Sequence, residues 1–273
     1  MEKTFGFIGA GNMGGAVAIS ACRALGAARV IVFDPDLAKT SALSAETGCS
    51  VASNLDDLVA RADFIVLCVK PNMIDSVIET ISPAIAAAGG EKSIASIAAG
   101  VSISAIAEAL AKGGLRLPIV RLLPNTPMTV GKGMTVLACC PGVSDEDKAL
   151  ICQALSAGGE VLELEEKLID AATPVFSCSP AFGYMFIDAL ADGGVMAGLP
   201  RAQAICLAAQ SLYGAAAMVL ESGKHPAQLK DEVCSPGGST IVGVEELEKK
   251  SFRAAVASAV FEAYKKTLTL SGK

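Results

Sequence analysis

Five short apolar runs rich in β-branched residues punctuate the first half of the chain, at residues 4–8, 29–33, 64–69, 93–98 and 118–122. Between them lie segments with helical spacing, at 12–25, 36–47, 55–61, 71–88 and 102–111. Strands apolar on both faces and separated by helices predict a parallel sheet covered on each side. Residues 134–139 and 160–164 add candidate edge strands, with a helix at 145–157 between them. Beyond about residue 165 the strand pattern stops, and helical patterns follow at 180–198, 200–222, 226–233, 239–249 and 251–270. Pro200 and Pro226 stand at expected first helical turns. In the last helix Phe252, Val256, Ala259, Val260 and Ala263 share one stripe, away from Arg253, Glu262 and Lys265. The rhythm predicts an α/β domain over 1–164 and an all-helical domain over 165–273, packed tightly because no long polar linker joins them.

Composition narrows the partners. The 273 residues are 52% hydrophobic and 4% aromatic, and a helical half this apolar is expected to complete its core by dimerising. A net charge of −6 without a basic cluster argues against nucleic acid and anionic membrane surfaces. One His and nine Cys with no C-x-x-C spacing give no metal site, and an odd thiol count without a basic leader predicts reduced cysteines in a cytoplasmic protein. The most lipid-like stretch, 204–220, is shorter than about 20 residues and carries Gln210. It is expected to be a buried helix of a soluble protein rather than a membrane span.

The chemistry starts at the first strand, TFGFI, followed by Gly9-Ala10-Gly11-Asn12-Met13-Gly14 and a helix. This is G-x-G-x-x-G in a strand–turn–helix frame: Gly9 for the tight turn, Gly11 for close approach to a pyrophosphate, Gly14 for helix–sheet contact. The helix start offers free N–H groups and a positive dipole end to the anion. Asp34 ends the second strand, where a carboxylate accepts from both adenosine ribose hydroxyls and repels a 2′-phosphate. The cofactor is therefore expected to be NAD(P)H, with NADH favoured by Asp34 and NADPH left open. Asp34 also has a second reading, as N-cap of the helix that follows. Further strand ends complete the expected cofactor set: Ile8, Asn54, the run Cys68-Val69-Lys70-Pro71, and the small residues Ala98 and Ala99. Lys70 reads as a cofactor or surface contact, since a Lys acts as an acid near neutrality only when buried.

A second glycine turn, VCSPGGSTIVG at 233–243, precedes another helical stretch. Its N–H groups at Gly237, Gly238 and Ser239 can converge on a small anion, and Thr240 follows at once. On its own, Ser235-Pro236 reads first as a helix cap, with the glycines only shaping the helix start.

Taken together, FIGAGNMG, CVKP, SIAAGV, LLPNTP, DALADGGVMAGLPR, HPAQLKDEVCSPGGST and the helix after FRAAV make the chain resemble the pyrroline-5-carboxylate reductases over nearly its whole length. The resemblance implies a Rossmann-like doubly wound parallel sheet with a C-terminal helical dimerisation domain, an active site between cofactor crevice and dimer helices, and higher oligomers built from dimers. It implies hydride transfer to a cyclic imine bearing a carboxylate, giving proline, with Gly237, Gly238, Ser239 and Thr240 binding substrate and Thr240 acting on the ring nitrogen. A protonated imine needs no strong side-chain acid, which suits a chain with one His. Three positions depart from the family pattern: Ser177 for a Gly, Cys178 for a Ser, and Glu232 for an Asn. The competing readings are a β-hydroxyacid dehydrogenase and an NAD-sensing protein without turnover. The first lacks its Lys, since none occurs from Leu168 to Pro200, and the second would need no anion seat at 237–240. His225, Cys178 and Cys234 read as capping or packing residues.

Overall fold

The computed structural model describes residues 2–270, which form two compact units. The first takes in the chain up to Ser177 together with the end of the last helix from Lys266; the second is Cys178–Lys265.

The first unit begins with β1 (Phe5–Ile8), α1 (Asn12–Leu25), β2 (Val30–Phe33), α2 (Leu37–Thr47), β3 (Ser50–Val51), α3 (Leu55–Arg61) and β4 (Phe64–Leu67). It continues through α4 (Ile74–Ala88), β5 (Ser93–Ser96), α5 (Ile103–Lys112), β6 (Ile119–Pro124), β7 (Gly133–Cys139), α6 (Asp145–Leu155), β8 (Gly159–Glu163) and α7 (Glu166–Thr173). The sheet order is β3-β2-β1-β4-β5-β6-β7-β8. It is parallel except at the β6–β7 pair, where the direction reverses. The chain winds outward from β1 on one side and returns on the other, so the order reverses between β1 and β4. That reversal opens a crevice at the carboxyl ends of the strands.

Alternation along each strand sends apolar side chains to both faces. Phe5, Phe7, Val32 and Phe64 pack with α1, α2 and α6, the Phe5 and Phe64 rings stacked at 4.6 Å. Ile31, Ile65, Leu67 and Ile94 pack with α3, α4 and α5. Each fully buried side chain of this size stabilises by about 1.5–3 kcal/mol relative to exposure. Two elements escaped the sequence pattern. β3 is two residues long, and α7 occupies a stretch for which no helix was expected. Both candidate edge strands are strands, but only β8 lies at the edge; β7 sits between β6 and β8 and runs parallel to β8.

Lys92 illustrates how the lower rim is closed. Its ammonium is buried and donates to the carbonyl oxygens of Val59 and Ala62, both at 2.8 Å, at the end of α3. Those carbonyls have no partner within the helix. Loss of solvation pushes the Lys92 pKa below the usual lysine value.

The second unit contains α8 (Ser179–Met196), α9 (Arg201–Ser222), α10 (Pro226–Glu232), α11 (Ser239–Lys249) and most of α12 (Phe252–Leu270). Pro226 opens α10, whereas Pro200 is the residue just before α9. α8 and α9 pack closely where Gly194 meets Ala204 and Leu199; a Cβ there would lie 3.2 Å from Ala204. Within this unit only Ala191, Ala204 and Ala208 are buried apolar residues, so α9 is not the buried helix expected from its composition. It is long and apolar enough to span a membrane, yet it lies mostly exposed in a single chain. Phe182, Met185, Phe186, Leu190, Phe252 and Val256 line an open apolar groove of about 560 Å3. The stripe anticipated on α12 is part of that groove rather than of an internal core. An apolar surface this continuous marks an interface.

Substitution Lys92→Met leaves two buried carbonyls unpaired and is expected to destabilise by about 1–3 kcal/mol. A denaturant titration with an unchanged midpoint would show that the ammonium contributes nothing there.

Candidate active site

The glycine turn between β1 and α1 distributes its work over three positions. Gly9 has φ 107°, donates its N–H to Phe33 at 2.7 Å, and sits so close to β4 that a Cβ would meet the Cys68 carbonyl oxygen at 2.7 Å. A Cβ on Gly14 would lie 2.3 Å from the Gly9 carbonyl oxygen and 2.8 Å from the Cys68 Cβ. Gly11 is different: nothing lies within 4 Å of its would-be Cβ. The space is open on the side a ligand would occupy. Gly11 is also the N-cap of α1, with no side chain capping the helix and no acidic residue in its first turn. The first N–H groups of α1, from Asn12 onward, are therefore available to an anion. These residues fit the diphosphate of a dinucleotide: backbone donors, positive dipole end, and no side chain in the way.

Asp34 closes β2 and turns back toward the same loop. One carboxylate oxygen accepts from the Ala10 N–H at 2.8 Å, the other from the Asp36 N–H at 2.9 Å, and the residue is 9% exposed. The cap of α2 is Asp36, whose Oδ1 accepts from Ala38 at 3.1 Å, so the capping role weighed for Asp34 belongs to its neighbour. Lys39, the nearest cation in sequence, is paired with Asp36 at 3.3 Å. A carboxylate accommodates about four hydrogen bonds, so Asp34 retains capacity for ribose hydroxyls while bracing the loop.

The other strand ends assemble beside this loop. Ile8 is buried at the end of β1, and Cys68 and Val69 follow β4, both half-buried. Burial pushes the Cys68 thiol far above its ordinary pKa, which removes it as a nucleophile. Lys70 and Pro71 are exposed. After β5, Ala98 is buried with its N–H donated to Ser96 Oγ at 3.2 Å, Ala99 is exposed, and Gly100 turns at φ 78°. Asn54 caps α3, its Oδ1 accepting from Asp57 at 2.8 Å. Sequence reasoning passed over Asn125, at the end of β6. Its buried side chain accepts from Met134 N–H and donates to the Phe176 carbonyl, both at 2.8 Å. A lone Asn after a buried strand, next to a Thr-Pro, was the available signal.

In the helical unit, Gly238 donates its N–H to the Ser235 carbonyl at 3.0 Å, across Pro236 and a Gly237 with φ 70°. Proline followed by a glycine at positive φ is the signature of a type II turn. The N-cap of α11 is Gly238 and not Ser235, and no side chain caps that helix. Ser239 and Thr240, its first two residues, are exposed with their N–H groups free of helical partners. His225 is spent on a cap, Nδ1 accepting from Ala227 at 3.2 Å. Glu232 is held by Lys224 at 2.8 Å and by Gln228 at 3.1 Å, and the lysine lowers its pKa. It thereby clasps the turn between α9 and α10.

The glycines allow a paired test. Gly11→Ala is expected to fold normally and to lose dinucleotide affinity, whereas Gly14→Ala is expected to lower the melting temperature through backbone overlap. Equal melting curves for both, or undiminished dinucleotide binding by Gly11→Ala, would contradict this division of labour.

Comparison with known proteins converges on one group. Residues 166–270 match the family model for pyrroline-5-carboxylate reductase dimerisation, and residues 4–100 match that for coenzyme F420-dependent NADP oxidoreductases. The chain is 40% identical to the pyrroline-5-carboxylate reductase of Escherichia coli, over 99% of both chains. To that of Pisum sativum it is 39% identical, over 98% of this chain and 96% of the other. The solved structure of the Plasmodium falciparum pyrroline carboxylate reductase, which has NADP bound, superposes with a TM-score of 0.83 at 33% identity, covering 99% and 98% of the two chains. Similarity that runs from the glycine turn to the last helix makes this chain a member of the pyrroline-5-carboxylate reductase family.

Proposed function

We propose that the chain reduces pyrroline-5-carboxylate to L-proline with NAD(P)H, the last step of proline biosynthesis. The observation that carries this reading is the presence of two uncapped, glycine-opened helix starts, one shaped for a dinucleotide and one ending in Thr240. The reduced nicotinamide, when bound, supplies the hydride, so the protein contributes orientation and electrostatics. Backbone N–H groups from Gly11 to Gly14 hold the diphosphate. Ala98 and Ala99 are small enough to leave room for a flat ring against the backbone. With the Gly238 N–H held by the Ser235 carbonyl, the N–H groups of Gly237, Ser239 and Thr240 seat the substrate carboxylate, and the Thr240 hydroxyl holds the proton at the ring nitrogen. His225, occupied by its cap, takes no part.

Asp34 favours NADH in this reading. A 2′-phosphate would bring a dianion beside a carboxylate, with Lys39 already paired to Asp36. The Plasmodium falciparum relative was solved with NADP bound, so the NADH preference in this reading rests on Asp34 alone. The helical region from residue 165 onward serves as substrate-binding and dimerisation domain, a second copy covering the apolar groove, with dimers joining into larger assemblies. All nine cysteines are free, in keeping with a reducing cytoplasm.

Purified protein is expected to oxidise reduced cofactor only when pyrroline-5-carboxylate is added; if neither NADH nor NADPH is consumed, the enzymatic reading fails. Asp34→Ser should shift the NADH/NADPH ratio of kcat/KM toward NADPH by about tenfold, equivalent to about 1.4 kcal/mol. An unchanged ratio would leave Asp34 with loop bracing alone. Thr240→Ala should lower kcat about 10²-fold with cofactor affinity within about twofold. A collapse of cofactor binding in that variant would move Thr240 away from the imine.

A further inference from the structure

The mechanism leaves one buried charge cluster unused. Arg121 on β6 is 3% exposed and faces the side of the sheet that carries Ile119 and Leu123. Its Nη1 lies 3.3 Å from Glu166 Oε1 and its Nη2 3.6 Å from Asp170 Oδ1, two carboxylates one turn apart on α7. Its Nε is buried with no hydrogen-bond partner among the described residues. Such a cluster is a poor source of stability, because desolvating three charges offsets most of their attraction. Three apolar residues in place of Arg121, Glu166 and Asp170 would fill the same space without that cost, whereas replacing Arg121 alone would strand the buried Asp170 carboxylate. What the charges supply is direction.

The direction is visible at Glu166. The oxygen that meets Arg121 also accepts the Ile103 N–H at 2.7 Å. Ile103 is the first residue of α5, and the six residues before it, 97–102, form the loop that leaves β5 at the carboxyl edge of the sheet. That loop is fastened at its start by Ser96 Oγ to the Ala98 N–H, and Ser96 is the register partner of Arg121 on the neighbouring strand. At its far end it is fastened by Glu166. Between the two anchors the loop closes a single turn, the Val101 N–H donating to the Ala98 carbonyl at 3.4 Å with Gly100 at positive φ.

We propose that Arg121 and Glu166 are positioning residues for the cofactor: Arg121 orients Glu166, and Glu166 holds the 98–102 loop at the height the nicotinamide ring requires. This rests on the dinucleotide reading of the crevice. Neither residue touches the cofactor.

Three variants test it. Glu166→Gln keeps an acceptor oxygen for Ile103 and loses only the charge; Glu166→Ala loses both, at a side chain that is 31% exposed and so tolerant of truncation. Arg121→Lys keeps charge but cannot fork to two carboxylates. Glu166→Ala is expected to raise the KM for reduced cofactor about tenfold, leaving the KM for the imine within about twofold, and Glu166→Gln should restore most of the loss. Arg121→Lys should follow Glu166→Ala where it folds; where it does not, the Glu166 pair decides. A folded Glu166→Ala enzyme with unchanged cofactor KM, or a Gln variant as impaired as the Ala variant, overturns the proposal. If the wild-type protein reduces no imine, direct titration with NADH takes over as the readout. About tenfold weaker NADH binding by Glu166→Ala then supports the positioning role although the substrate assignment has failed, and equal binding sinks it.

Discussion

The close approach of α1 to the ends of β1 and β4 is the constraint on which the crevice depends. A Cβ on Gly14 would overlap the Gly9 carbonyl and the Cys68 side chain, and one on Gly9 would overlap the Cys68 carbonyl. Without those two hydrogens-for-side-chains the helix could not begin so near the sheet, and its free N–H groups would point past a diphosphate. Everything else at the site is referred to this contact. Asp34 braces the loop through Ala10, Cys68 is its floor, and the open face at Gly11 is what remains for a ligand.

The two units solve the burial problem differently. The sheet unit covers its strands internally and pairs buried polar groups such as Lys92 and Asn125, with the Arg121 Nε left unpaired. The helical unit leaves Met185, Phe252 and most of α9 uncovered in a single chain. Helices so apolar gain little by folding alone, and a match to a dimerisation family over 166–270 supplies the physical completion. The family model starts at Glu166, whereas compact packing keeps α7 with the sheet as far as Ser177. Two polar anchors account for that placement: Arg121 on the carboxylates of α7, and Asn125 on the carbonyl of Phe176.

Much of the fold was legible because its signals are local. Apolar periodicity marked seven of the strands and most of the helices within a few residues, and the glycine spacing marked the cofactor turn with its three distinct steric roles. β3 was invisible because two residues carry no period, and α7 because its buried face, Ile169 and Asp170, mixes an apolar residue with a charge. The capping readings of Asp34 and Ser235 fell two and three residues short of the true caps, Asp36 and Gly238. In each case several polar residues sit at the helix start, and backbone angles, not residue type, choose among them.

By itself, then, the sequence determined the parallel sheet, the place of the glycine turn between β1 and α1, the glycine turn before Thr240 and the family, since each depends on residue type at fixed short spacing. Only the tertiary structure decided that Asp34, expected at the ribose, holds the glycine loop through Ala10, that α9 is exposed in one chain, and that Arg121 reaches Glu166 and Glu166 reaches Ile103. Those pairings join residues 24, 45 and 63 positions apart. Such partners are chosen by how strands and helices pack, and a linear pattern of hydrophobic and polar residues carries no record of them.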